Sequence, residues 1–243
     1  MTTAPEDFTT LSVGGHTAGD GKACLMEYVS LLAGEAWSDN PTCTHPVLAN
    51  MARNVNDLMG DENRHLLVPL IGRLLGTSET GTDIERKMLS VSLAIHSAKT
   101  VLHLVCAAYQ AKAAEAIEAA EQWVKDPSKV NANRAKDAVK ASLTGDRIHA
   151  LDAAAHAAVA AYADRATITT SYAGAGAASN ALANDVASTT GLTNTTADKD
   201  HTLVDSLSSL IDEYDRLTGR TEHREVRTEE LNALRQNLAS LAS

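Results

Sequence analysis

Apolar residues recur along most of this chain at helical rather than strand spacing. Leu25, Val29 and Leu32 fall at i, i+4 and i+7, which predicts a helix over about 22–33 that Gly34 ends. Val47, Leu48, Met51, Val55 and Leu58 form a second stripe, with Pro46 in its first turn and Gly60 as its stop. Asp61 is placed to cap a third helix carrying Leu66, Leu67, Leu70, Ile71, Leu74 and Leu75, which Pro69 must kink or divide. Residues 1–21 are polar and Gly-rich and read as loop or a short strand.

A turn-rich break, Gly76–Gly81, follows, and then Thr82 and Glu85 stand at capping-box spacing. The helical pattern then runs through Ile84, Met88, Val91, Ile95, Leu102, Val105, Tyr109, Ile117 and Val124 to Asp126-Pro127. That is too long for one globular helix, and a break is expected near Gln110–Ala113. Further helices are predicted over about 128–143 and 146–166, separated by Thr144-Gly145. Residues 167–196, rich in Thr, Ser, Gly and Ala, read as a poorly formed helix with loops. Helix returns over 198–218, and a charged turn, Gly219–Arg227, leads to a last helix with Leu231, Leu234, Leu238 and Leu241. The expected fold is all-α. It is a multi-helix array with an N-terminal three-helix unit (1–77), an Ala-rich domain (82–190) and a C-terminal helical hairpin (197–243).

Composition sharpens this. Hydrophobic residues make up 44% of the chain, yet it has one Phe, two Trp and Ala-dense tracts such as Ala150–Ala163. Ala is the best helix former and buries little area, so such a core suits closely apposed helices and not a sheet. The net charge of −10 argues against a sequence-independent nucleic-acid binder and favours a basic partner or none, solubility being the plainer reading. No stretch approaches the ~20 apolar residues of a membrane span. The polar, acidic start lacks a signal-peptide core, and three cysteines suit a reducing compartment, so a cytoplasmic protein is expected.

Candidate chemistry concentrates near the N-terminus in His16, Cys24, Glu27, Glu35, Ser38, Asp39, Cys43, His45, Asn56 and Asp57. His16, Cys24, Cys43 and His45 are ligand types for zinc, but their H-x7-C-x18-C-x-H spacing matches no common zinc module. Cys24, in the first turn of its helix, is a candidate nucleophile whose thiol the macrodipole would activate. His16 or His45 would be its base, with Glu27 and Asp39 beside them. The structural alternative has buried cysteines, helix-capping acids and Trp37 packing a loop. His96 with His103, and His149 with His156, stand seven apart, two turns or about 10 Å along a helix, too far for one metal. The glycine-rich stretch before Lys22 is not a phosphate loop, because Ala23 follows the lysine and no apolar strand precedes it.

The segment Gly21–Asp57, with His16 before it, resembles a module of uncharacterised proteins from high-GC bacteria and their phages. The resemblance is carried by His16, Cys24, Met26, Glu27, Ala33, Gly34, Glu35, Ser38, Asp39, Pro41, Cys43, Asn56 and Asp57. It brings no activity. Residues 84–165 are similar to the Ala-rich helical domain of immunity proteins of bacterial toxin systems, through Ala98–Leu104, Ala116–Val124 and the tract around His156 and Tyr162. That resemblance implies a non-enzymatic, immunity-like neutraliser of a partner protein, and no cofactor is expected.

On this reading Asp205, Asp212, Glu213 and Asp215, on a helix whose other face is Leu-rich, are the expected binding acids. The rival is a small enzyme or metal-binding protein built on the N-terminal cluster. Convergence of His16, Cys24, Glu27, Asp39 and Cys43 on one pocket would favour the rival.

Overall fold

The computed structural model describes residues 11–18, 21–78, 80–105, 107–142, 149–162, 168–193 and 196–241. The described residues form ten α-helices and two 3-10 segments, with one isolated parallel bridge, Leu11 to Ala23. The fold is all-α, and no described helix is long and apolar enough to cross a membrane.

The N-terminal unit holds α1 (Leu25–Leu32), α2 (Pro46–Leu58), a 3-10 segment (Arg64–Leu70) and the single turn α3 (Ile71–Leu74). Pro69 lies inside the 3-10 segment, and the expected third helix is divided just after it. α4 (Asp83–Val101) opens on the Thr82–Glu85 capping box. The chain bends at Leu102–Leu104, well before the break expected near Gln110–Ala113. α5 (Ala107–Lys125) then runs unbroken through that position, since Ala and Gln are good helix formers and give no reason to stop. α6 (Lys129–Ser142) and α7 (His149–Tyr162) follow as expected; the Thr144-Gly145 break between them lies outside the described residues.

The largest departure is α8, one continuous helix over Ile168–Thr193 where a poorly formed helix with loops was expected. It is the central helix, packed against α7, α4, α2 and α9 (Thr196–Thr218). Its small residues explain the position. A Cβ on Gly174 would stand 2.9 Å from the Ala160 backbone nitrogen and 3.1 Å from Ala160 Cα, and one on Gly176 would strike Asn50 Nδ2. Ala153, Ala154, Ala157 and Ala161 of α7 and Ala175, Ala178 and Ala183 of α8 are buried, and the two helices pack against each other. Close backbone approach replaces large side chains as the source of dispersion contact. A polar pair, Ser97 Oγ to Ser179 Oγ at 3.2 Å, is satisfied within the α4–α8 seam.

Among the described residues one hydrophobic core cluster runs through these helices, across the divisions 1–77, 82–190 and 197–243. The C-terminal connection is also not a simple charged turn. After Gly219 (φ 71°) an extended strap crosses α3 and reaches α1 before α10 (Thr228–Leu241). Arg220 donates to the carbonyls of Arg73 and Leu75 at 2.8 Å, and Arg224 donates to that of Leu32. Gly72 leaves room for the strap's backbone at Arg224. Leu231 of α10 is buried.

If the α7–α8 seam depends on backbone proximity, Gly174→Val should lower the unfolding free energy by roughly 1–3 kcal/mol. Urea denaturation measures it. An unchanged midpoint would mean the seam is looser than described.

Candidate functional site

The loop before α1 is folded onto α1 and α2 by buried polar side chains. Glu27, 1% exposed, accepts from the backbone N–H of His16 at 2.6 Å and of Cys24 at 2.7 Å, and meets His16 Nδ1 at 3.0 Å. Cys24 takes the N-cap position of α1, so Glu27 is the far half of a capping box. Asn56, fully buried, accepts from Leu25 N at 3.3 Å and donates to Ser12 O at 2.9 Å. Asp57 receives the Gly14 N–H at 2.7 Å, where φ is +81°, a backbone that suits glycine. Trp37 Nε1 donates to His16 O at 2.7 Å.

Arg64 completes the frame. It is 4% exposed and donates to the carbonyls of Leu11, Asn56 and Met59 and to Asp61. Charge-assisted bonds of this kind contribute roughly 1.5–3 kcal/mol each, and they fix the loop, α2 and the following turn together.

Between these elements lies a small cleft of about 30 Å³ lined by Gly14, Gly15, Cys24, Asp39, Arg53 and Asp57. Arg53 Nη1 donates to Asp39 O at 2.9 Å and Asn40 Oδ1 at 3.0 Å, which holds the Asp39 loop against α2. Burial, foremost, and the nearby Glu27 carboxylate push the Cys24 thiol up to about 12, so desolvation opposes the lowering expected from the helix terminus.

Of the five residues of the convergence test, His16, Glu27 and Cys24 meet, Asp39 lines the same cleft as Cys24, and Cys43 alone lies elsewhere. Cys43 sits beside Thr44 and Glu35, its thiol also raised, mainly by burial. Glu35 is held by Thr42, whose backbone N–H and Oγ1 both donate to it. His45 is the N-cap of α2, where Nδ1 accepts from Val47 N and the ring packs on Tyr214 at 5.7 Å. His16, Cys24, Cys43 and His45 thus do not gather. Among the described residues no group of three or more His, Cys, Asp or Glu is arranged to hold a metal.

The four acids expected to bind a partner are largely engaged within the fold. Arg73 bridges Asp212 at 2.6 Å and Asp215 at 3.2 Å, Arg220 pairs with Asp215 at 3.0 Å, and Arg216 holds Glu213 at 2.7 Å. Hydrogen bonding from Arg216 keeps the Glu213 carboxyl below its ordinary range. Asp205 alone of the four is exposed and outside any ion pair among the described residues. His96 is part-buried and bonds Ser209 at 3.0 Å across the α4–α9 seam, while His103 falls in the bend after α4.

The residues that sequence reasoning missed are Arg53 and Arg64, which carried no motif signal. Gly14 and Gly15 were visible only as a rejected phosphate loop.

A protonated, buried Cys24 should resist alkylation at pH 7.5 under native conditions, reacting at least about 100-fold more slowly than in denaturant. Mass spectrometry after timed iodoacetamide treatment reads this directly, and rapid native labelling of Cys24 would reinstate a reactive thiol.

Compared with protein-family models, curated proteins and solved structures, the chain has no match.

Proposed function

We propose that this chain is a non-enzymatic helical protein-binding protein, an immunity-like neutraliser that works by occupying a partner protein. The observation that carries the reading is the use made of the chemistry-bearing residues. Glu27, Asn56, Asp57 and Glu35 point their acceptors at backbone N–H groups of the same unit. The remaining cleft, about 30 Å³, has room for one or two waters, whereas ligand pockets span roughly 300–1,000 Å³. Residues committed to holding a loop in place are poorly suited to turning over a substrate.

The partner class is read from charge. With a net charge of −10, a basic protein surface is favoured over nucleic acid. The acids best suited to meet it are the exposed Asp205 of α9 and Glu62 in the turn before the 3-10 segment. Asp212 and Asp215 serve the fold through Arg73. A cytoplasmic location fits the sparse cysteines, of which Cys24 and Cys43 are free thiols.

The rival reading, a small enzyme, rests on Asp39, Asp57, Arg53 and Cys24 sharing one cleft. Opening of that cleft beyond its present size would be required for it.

The test is capture of a partner from the native host, followed by stopped-flow association with the purified pair. Association should slow at least tenfold from about 20 to 300 mM salt, and combined Asp205→Asn and Glu62→Gln should slow it further at constant melting temperature. Asp215→Asn should instead lower stability, on the order of 1–3 kcal/mol, because it removes the counter-charge of Arg73 and Arg220 and one of the two oxygens that accept from them. Salt-independent association would remove the electrostatic reading, and substrate turnover lost with Asp39→Asn would favour the rival.

A further inference from the structure

The α5–α6 hairpin carries a charge pattern opposite to that of the chain as a whole. Net charge is −10, yet residues 125–140 hold five basic side chains against two acids. α6 packs chiefly on α5 and α7, so its far side lies at the edge of the helical array. There Lys129, Asn133, Arg134, Lys136 and Lys140 are exposed, with Val130 76% exposed among them. Lys129, Lys136 and Lys140 recur at i, i+7 and i+11, a stripe about 16 Å long by helix rise. Lys140 meets Asp137 at 3.4 Å, while Lys129, Arg134 and Lys136 stand outside any ion pair among the described residues.

α5 supplies the opposite sign. Glu115 and Glu118 are exposed and likewise outside any ion pair among the described residues, and Ala111 and Ala114 beside them are exposed too. The short link at 126–128 makes the two helices antiparallel. Glu118 and Lys136 are each nine residues from Pro127, and Glu115 and Lys140 are twelve and thirteen from it. Acid and base therefore stand level across the hairpin.

We propose that a second copy of this chain docks on the hairpin, forming an isologous dimer in which α5 of each copy lies over α6 of the other. A two-fold axis parallel to the hairpin keeps every residue at its own height while exchanging the two helices. Glu118 then meets Lys136 of the partner subunit and Glu115 meets Lys140 of the partner subunit, and each pair occurs twice. The matching heights are what select this chain's own acids over those of another acidic protein. Ala111 and Ala114 let the helices approach closely, and Val130 adds apolar contact.

The area is sufficient for a reversible contact. Two helical strips about 21–28 Å long and about 10 Å wide bury on the order of 1,000 Å² in total, the lower end for a specific interface. At about 0.1 M salt the Debye length is about 10 Å, which screens the net repulsion of two acidic copies more than pairs in contact. Glu62 and Asp205, the acids assigned to a partner protein, lie on other elements, so the dimer goes beyond that reading.

Sedimentation velocity on the full chain, from about 5 to 500 µM in about 0.1 M salt, tests the proposal. The wild type should pass from monomer to dimer. Lys136→Glu with Lys140→Glu makes both strips acidic, and Glu115→Lys with Glu118→Lys makes both basic. Each double variant should raise the dimer Kd at least about tenfold with its helical circular dichroism unchanged. An equimolar mixture of the two should dimerise at least as well as the wild type, because every acid again faces a base. A wild type that stays monomeric across that range would overturn the dimer and leave the basic stripe as a solvated face. Self-association that ignores both double variants, or a mixture that stays monomeric, would overturn it equally. Should a double variant not fold, the single changes Glu118→Lys and Lys136→Glu give the same mixing test.

Discussion

A fully buried carboxylate sets the form of the N-terminal half. Glu27 cannot lie in a dry interior unless donors surround it, and the donors available are the backbone N–H groups of His16 and Cys24 with the His16 ring. Meeting that demand draws the loop before α1 over the helix terminus. It brings Gly14 within reach of Asp57, and Trp37 within reach of His16 O. Arg64 then closes the same loop from beneath through Leu11 O. The residues that look most chemical in the sequence are so placed because a buried charge has to be satisfied.

The other half obeys a different constraint. Ala, Gly and Ser bury little area singly, so α7 and α8 are held by how closely their backbones approach. Gly174 against Ala160 and Gly176 against Asn50 mark the nearest points. Because α8 also meets α2 and α9, this packing joins the Ala-rich helices to the N-terminal unit in one core.

The all-α class was legible because Leu, Ile and Val stripes at helical spacing mark α1, α2, α4 and α9, and because Thr82 with Glu85 announces a helix start. α8 was not legible: its Gly, Ser and Thr residues lower intrinsic propensity, and only neighbours far along the chain select the helix. The same distance hid the role of the α9 acids. Nothing near Asp212 or Asp215 in sequence points to Arg73, 139 and 142 positions away. The Cys24 site was half legible. The residue types stand in the sequence, but the burial that raises the thiol is set by the packing of the folded chain.

The account turns on Glu27 being architectural, and the unfolding free energy of Glu27→Gln tests that most directly. The amide is nearly isosteric but sets an N–H₂ group against donors, so a loss of roughly 3 kcal/mol or more is predicted in urea denaturation. A Glu27→Gln chain as stable as the wild type would contradict it, since the carboxylate would then be free for chemistry that the fold does not need.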